Sequence, residues 1–110
     1  MHSESNMGRT VVFGNYEWDE EKNRANIKKH NIGFEEVLPV FDDPLFWERF
    51  DSKSSASDEN RYIGIGKING FTIVTSCYTD RNGRTRIINA RIATKEEEKD
   101  YERWCESFYG

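Results

Sequence analysis

Residues 78–93 read Y-T-D-R-N-G-R-T-R-I-I-N-A-R-I-A, and they predict a tight turn, a strand and the approach to a last helix. Asp80-Arg81-Asn82-Gly83 is a turn sequence, because Asn and Gly tolerate the left-handed backbone of short hairpins. After the turn, arginines alternate with β-branched and small side chains, as is typical of a strand. Every charged residue from Arg81 to Lys95 is basic, namely Arg81, Arg84, Arg86, Arg91 and Lys95.

This basic segment lies in an acidic protein. The formal net charge is -4 at pH 7, and the sequence pI is about 5.2. Proteins that bind long nucleic acid through counterion release usually present a net basic surface, so any such affinity must be local here. Four arginines in one short segment suit a phosphate-bearing partner, because guanidinium groups match phosphate oxygens bidentately.

The bulk properties predict one small globular domain. The chain has 110 residues, of which 33% are charged and 35% hydrophobic, and we expect a single domain over residues 10–110 after a flexible tail over residues 1–9. No apolar run has the length of a membrane span or the form of a secretory signal, so we expect a cytoplasmic protein without membrane association. Cys77 and Cys105 form no C-x-x-C pair, which indicates free thiols and no zinc site.

The N-terminal part predicts one strand and two helices. The strand covers residues 10–16, and a helix follows over residues 20–30 with Asp19 as its N-cap. Lys28, Lys29 and His30 close this helix, where cations are favoured by the helix dipole. A second helix after Gly33 is indicated by one continuous apolar face, formed by Phe34, Val37, Leu38 and Phe41.

The remainder predicts an antiparallel meander and a final helix. Strands are expected over residues 45–50, 61–68, 71–79 and 84–93, with a flexible loop over residues 51–60. Asn69-Gly70 predicts a two-residue type I′ turn, and Thr94 with Glu97 predicts the capping box of a helix that ends near Phe108. The fold class is therefore α+β, an antiparallel sheet on which two N-terminal helices and one C-terminal helix pack.

The chemistry that the residues support is metal-free phosphate chemistry. No Ser-His-Asp set, phosphate loop or convergent group of carboxylates is readable, so we expect no metal and no cofactor. Cations with one proton carrier suit RNA cleavage, in which the 2′-hydroxyl attacks its own adjacent phosphate. On a regular strand, however, Arg84 and Arg86 face one side and Arg91 the other, so only some of the arginines would meet.

Three stretches carry a resemblance to a known family. They are Y-E-W-D-E-E-K-N-R-A-N-I-K-K-H-N-I-G-F-E-E-V-L-P-V-F-D-D-P from Tyr16, R-Y-I-G-I-G from Arg61, and Y-T-D-R-N-G-R-T-R-I-I-N-A-R-I-A-T-K-E-E-E-K-D-Y from Tyr78. Together they resemble the BrnT family, toxins of type II toxin–antitoxin pairs with a RelE-like fold. The resemblance implies a bacterial endoribonuclease that inhibits translation. It also implies a BrnA-type antitoxin that contacts operator DNA for the pair, in a dimer of toxin–antitoxin heterodimers.

The resemblance also implies the site. Lys29 and His30 match the family's K-H, and either could carry the proton. The arginines that match are Arg61, Arg81, Arg86 and Arg91. We therefore predict His30, Lys29, Arg86 and Arg91 as catalytic residues. Phosphate or RNA contacts are predicted at Arg61, Arg81, Arg84 and Tyr78, with the Tyr78 ring stacking on a base.

Several of these assignments have an alternative. Lys29 and His30 could serve only the end of their helix, and Arg86 and Arg91 could pair with the acidic last helix. The whole chain could also be an inactive family member that binds a partner protein through its aromatics. Those residues are Phe46, Trp47, Trp104, Phe108 and Tyr109.

Overall fold

Six strands and three α-helices form within residues 9–109, the part of the chain that the computed structural model describes. The predicted tail over residues 1–9 lies outside the described residues, apart from Arg9. The strands are β1 (Thr10–Phe13), β2 (Tyr16–Asp19), β3 (Trp47–Phe50), β4 (Arg61–Lys67), β5 (Ile73–Arg81) and β6 (Arg84–Ile92). The helices are α1 (Glu20–His30), α2 (Phe34–Val37), the 3-10 helix η1 (Leu38–Asp42) and α3 (Lys95–Tyr109).

The strands form one mixed sheet in the order β1-β2-β6-β5-β4-β3. The β2–β6 pair is parallel and all other neighbours are antiparallel. The α+β class is confirmed, but the prediction of a purely antiparallel meander is wrong. The predicted strand over residues 10–16 is in fact a hairpin, because the chain turns at Gly14 with a positive φ of 62°. This turn sends β2 alongside β6, whose sequence lies far away in the chain.

The first helix also differs from the prediction in its placement. Helix α1 lies against the edge of β6 beyond the point where β2 ends. There the Asn26 side chain makes the two hydrogen bonds that a neighbouring strand would otherwise make to Ala90. Its Nδ2 donates to the Ala90 carbonyl (2.8 Å), and its Oδ1 accepts from the Ala90 N–H (3.2 Å). Nδ2 also donates to the Ile32 carbonyl (3.0 Å), which fixes the chain after α1. Buried backbone groups at this edge are thereby satisfied without a further strand.

Two apolar clusters lie on opposite faces of the sheet. On one face α2 and η1 supply Phe34, Val37 and Leu38, which pack against Trp18 and Ile87. On the other face, only one end is covered, where α3 places Tyr101 against Ile65 and Ile73. The rest of that second face carries polar side chains such as Thr79 beside apolar ones such as Ile63.

Several local predictions are confirmed. The Asp19 carboxylate caps α1 by accepting from the Glu21 N–H (2.8 Å), and Asn31 ends the helix in the left-handed region. Thr94 and Glu97 form the capping box of α3 with distances of 2.9 Å and 3.1 Å. These motifs involve neighbours in sequence only.

The turn at Asn69-Gly70 was predicted wrongly. A type I′ turn needs positive φ at both central residues, and only Gly70 has one (89°). The Asn69 side chain instead accepts from the Thr72 N–H (2.8 Å), so a longer loop over residues 68–72 joins β4 and β5. The type I′ geometry occurs at Asn82-Gly83, with φ of 54° and 83°.

We predict that Asn26→Ala lowers the free energy of unfolding by about 1–3 kcal/mol, because it leaves buried backbone groups of Ala90 and Ile32 without partners. Urea denaturation followed by circular dichroism measures the change. Lys28→Ala, on the exposed side of the same helix, is the control and should change stability by less than about 0.5 kcal/mol. Equal stability of the two variants would contradict the role of Asn26.

Candidate functional site

A β-bulge in β6 decides which side chains share a face. β5 and β6 pair in register from Arg81 opposite Arg84 to Tyr78 opposite Ile87, and then Cys77 lies opposite Asn89. Ile88 is the extra residue. Such an insertion shifts the alternation of side chains by one position. Arg86 and Arg91, five residues apart, therefore point to the same face, and the expectation that Arg91 faces away is wrong.

The pairing of β4, β5 and β6 extends this face across three strands. Thr79 lies opposite Arg61 on one side and opposite Arg86 on the other, and directly paired residues point to the same face. Arg81 and Arg84 pair with one another at the hairpin end. We call this set the arginine face; it consists of Arg61, Arg81, Arg84, Arg86 and Arg91.

Each member of the arginine face lies beside a carboxylate. Arg86 donates to Glu17 (2.6 Å), and Arg84 lies 4.0 Å from the same carboxylate. Glu59 accepts from Arg61 (2.9 Å) and from Arg81 (3.0 Å). Arg91 makes two bonds to Glu97, of 2.6 Å and 2.7 Å. The predicted alternative for Arg91, pairing with the last helix, is thus present, yet three carboxylates face five guanidinium groups and leave the face positive.

These ion pairs differ in how readily they can exchange. Glu17 is only 6% exposed, so separating it from Arg86 would leave a buried charge uncompensated. The Arg81 side chain is 47% exposed, and pairs of that kind contribute little to stability. The hydrogen bonds from Arg61 and Arg81 lower the pKa of Glu59 below its ordinary value. Arg86 is therefore fixed, whereas Arg61 and Arg81 can exchange Glu59 for another anion.

A cleft of about 530 Å³ lies between α1 and the arginine face. Lys29, His30 and Arg91 line it, so the structure brings these three predicted residues together. Its floor is formed by the sheet residues Ile63, Thr75, Cys77, Ile88 and Asn89. Ligand pockets for small molecules have volumes of about 300–1,000 Å³, and the volume of this cleft falls within that range.

A second hollow of about 100 Å³ adjoins the cleft. Arg61, Arg81 and Arg86 line it, while Lys22 and Ile88 line both spaces. The two hollows together form one surface along the strands. Its cations lie beside the carboxylates of Asp19, Asp51 and Glu59. Arg84 belongs to the arginine face by register but lines neither hollow.

Tyr78 does not belong to this surface. It is 5% exposed and lies on the opposite face, where its ring packs against Phe41 and Tyr62 and its hydroxyl donates to Glu48. Burial and the Glu48 hydrogen bond raise the pKa of Tyr78 above its ordinary value. The prediction that Tyr78 stacks on a base is wrong, because its ring is enclosed by the core.

Sequence reasoning missed three residues of the site. Lys22 lines both hollows, Glu17 holds Arg86, and Asp51 enters the cleft from the loop before β4. Glu17 lies in the quoted E-W-D motif, but its pairing with Arg86 depends on the parallel contact between β2 and β6. Lys22 could have been found from helical spacing, since it lies seven residues before Lys29 on the same side of α1.

Residues 9–109 lack two kinds of feature. No helix in this part of the chain is both long and apolar enough to cross a membrane. In the same residues no group of three or more His, Cys, Asp or Glu side chains is arranged to hold a metal ion.

Comparison with known proteins defines the class. Residues 18–97 match a family model described as the ribonuclease toxin BrnT of type II toxin–antitoxin systems. This match covers most of the chain, which therefore belongs to the BrnT family of ribonuclease toxins. Membership in a type II system implies an antitoxin protein as partner.

A solved structure supports this assignment. The chain is similar to the ribonuclease toxin BrnT of Brucella abortus, known from a 1.1 Å crystal structure, with 26% identity and a TM-score of 0.53. The similarity covers 71% of this chain and 94% of the Brucella chain. No curated protein sequence matches.

We predict that Glu97→Gln destabilises the fold in a pH-dependent way. Burial raises the pKa of Glu97, but hydrogen bonds from Arg91, the Thr94 N–H and Thr75 outweigh it, and the pKa falls from 4.5 to about 2. Because the folded-state pKa is depressed, the carboxylate stabilises the fold fully above pH 4.5 and loses this contribution as the pH falls toward 2.

The free energy of unfolding of wild type and Glu97→Gln should differ by about 2 kcal/mol at pH 7 and converge near pH 2. Urea titrations at several pH values measure this difference. Glu96→Gln, in the same exposed first turn, is the control. A constant difference from pH 7 to pH 2 would contradict the assignment.

Proposed function

We propose that this chain is a metal-independent endoribonuclease toxin, a single domain over residues 10–110 that inhibits translation by cutting RNA. The observation that carries the proposal is the arginine face, which the bulge at Ile88 assembles beside a cleft lined by Lys29 and His30. Guanidinium groups and a lysine on one surface suit the phosphates of a single strand, and the cleft provides room for a base.

The proposed reaction needs only proton transfer and charge neutralisation. The 2′-hydroxyl loses its proton and its oxygen attacks the adjacent phosphorus. The bond from phosphorus to the 5′-oxygen then breaks, that oxygen takes up a proton, and the products are a 2′,3′-cyclic phosphate and a 5′-hydroxyl. His30 or Lys29 carries the proton, since both line the cleft with Arg91.

Arginines stabilise the phosphorane charge in this scheme. Arg86 and Arg91 are held in place by Glu17 and Glu97, so their guanidinium groups need little reorganisation. Arg61 and Arg81 bind the flanking phosphate once it displaces Glu59, whose ion pairs are partly exposed. Arg84 adds long-range attraction from the hairpin end.

The antitoxin that we propose is of the BrnA type. Membership in a type II system supports a protein partner, and a partner that covers the arginine face would exclude RNA. We further propose that two toxins and two antitoxins assemble together and that contact with operator DNA is made by the antitoxin.

A second candidate function is that of a protein-binding module without nuclease activity. The observation in its favour is the end of α3, where Phe108 is 60% exposed and Tyr109 is 82% exposed. Phe46 and Trp47 do not contribute, because both pack within the domain. The two functions differ in the effect of producing the chain without its antitoxin.

We predict that induction of this chain alone in a bacterial host arrests growth and degrades cellular RNA, and that Lys29→Gln/His30→Gln abolishes both effects. Lys28→Gln, on the same helix turn but outside the cleft lining, is the matched control and should remain toxic. Growth curves and RNA gels measure the outcome. Folded but harmless wild-type protein would favour the binding module.

We predict that Arg61→Gln/Arg81→Gln slows RNA cleavage by the purified protein about a hundredfold, because two phosphate ligands are lost. Thermal denaturation should change little, since the Glu59 ion pairs are partly exposed. Full activity of the double variant would contradict the role of these arginines.

Cleavage of a labelled RNA by the wild-type protein should persist in EDTA. Activity that EDTA abolishes and Mg²⁺ restores would contradict the metal-independent reaction.

A further inference from the structure

The cleft contains a carboxylate that the phosphate-binding scheme does not use. Asp51 lines the cleft together with Lys29 and His30, and it directly follows β3. Unlike Glu17, Glu59 and Glu97, its side chain makes no hydrogen bond or ion pair to any residue in the range 9–109. A free carboxylate repels phosphate. Asp51 therefore suits a different ligand group, one that donates hydrogen bonds.

The backbone of Asp51 is held firmly. Its N–H donates to the Arg61 carbonyl (2.8 Å), and its carbonyl accepts from the Ser55 N–H (3.1 Å) and hydroxyl (2.7 Å). The Ser55 hydroxyl oxygen also accepts from the Arg61 N–H (2.9 Å), which ties this loop to the start of β4. The backbone of Asp51 is therefore held in advance by three hydrogen bonds of its own, while its carboxylate remains available.

The surroundings of Asp51 suit a nucleobase. Ile63, Cys77 and Ile88 give the floor of the cleft an apolar surface on which a base can lie. Burial and then the Asp51 charge raise the pKa of Cys77, so the thiol stays neutral on this floor. Asn89, exposed on the same floor, offers an amide that can donate to a base or accept from it.

The chemistry of the carboxylate selects among the four bases. An ionised carboxylate has two acceptor oxygens and no donor. Guanine alone presents two adjacent donors, N1–H and the N2 amino group, on its Watson–Crick edge. Adenine and cytosine place an acceptor nitrogen beside their amino group, and uracil places carbonyls on both sides of N3–H. Single-stranded RNA is commonly read on this edge.

We propose that Asp51 is a specificity-determining residue that binds the Watson–Crick edge of a guanine in the cleft. This inference rests on the proposed function, because it names the nucleotide that the ribonuclease site prefers. The neighbouring arginine face then takes the phosphates on either side of that guanine, and Asn89 contacts its remaining polar atoms.

The test measures binding separately from cleavage. Short RNAs carry guanine, inosine, adenine, cytosine or uracil at one position, with 2′-deoxyribose there and at both neighbours so that 2′-hydroxyl attack is blocked. Fluorescence anisotropy gives the affinity of each RNA for the full-length wild-type protein and for Asp51→Asn. Asp58→Asn is the matched control, since Asp58 lies in the same loop but lines neither hollow of the site.

The wild-type protein should bind the guanine RNA about ten- to a hundredfold more tightly than the adenine RNA, with inosine, which lacks the N2 amino group, between them. Asp51→Asn should lose this preference, and Asp58→Asn should keep it. Equal binding of all five RNAs by the wild type, a preference that survives in Asp51→Asn, or no RNA binding at all would overturn the inference.

The same RNAs with ribose throughout distinguish this inference from the proposed function. If the guanine preference in binding depends on Asp51 but the all-ribose RNA is never cut, the nuclease proposal fails while the binding inference stands. If RNA is cut without regard to guanine, the nuclease proposal stands and the assignment of Asp51 is wrong.

Discussion

One extra residue, Ile88, sets the direction of every side chain that follows it on β6. Without the bulge, Ile87 and Ala90 could not both reach the core, because they are three residues apart. The same shift turns Arg91 to the face that already holds Arg86. Packing of the apolar core and assembly of the arginine face thus depend on a single feature of the backbone, and a residue added or removed between Ile87 and Ala90 would disturb both.

The arginine face explains how an acidic protein can present a positive surface. Glu17, Glu59 and Glu97 come from three distant parts of the chain, and each holds guanidinium groups in place. Their carboxylates occupy positions that phosphate oxygens could also occupy, so the proposed binding of RNA would exchange one anion for another. This exchange is easiest at Glu59, which is carried by a loop, and hardest at Glu17, which is buried.

The sequence was sufficient for features that depend on near neighbours. The caps at Asp19 and Asn31, the capping box of Thr94 and Glu97, the hairpin at Asn82-Gly83 and the α+β class were all predictable, because these residues bond to groups within a few positions. The family was also recognisable from motifs in the right order. The catalytic and phosphate-binding roles assigned to individual residues stay predictions.

Features that depend on distant partners could not be read in the same way. The parallel contact of β2 with β6 joins Glu17 to Arg86 across most of the chain, and no local propensity specifies it. The bulge at Ile88 could not be predicted either, because no Gly or Pro beside Ile88 marks an irregular strand. Tyr78 points to one face of β5, and its neighbours Cys77 and Thr79 point to the other. Both faces of this strand are partly covered. Tyr78 is buried because α2 and η1 pack on its face, and the sequence did not specify that choice.

RNA binding by the arginine face and its cleft is tested most directly by NMR of the arginine Nε–Hε groups during titration with a short RNA that cannot be cleaved. We expect the signals of Arg61, Arg81, Arg86 and Arg91 to shift together and to saturate at the same RNA concentration. Arg24 and Arg103, which are exposed on other surfaces, should not move. Shifts confined to Arg24 or Arg103, or signals of the arginine face that remain unchanged at saturating RNA, would contradict RNA binding by this face.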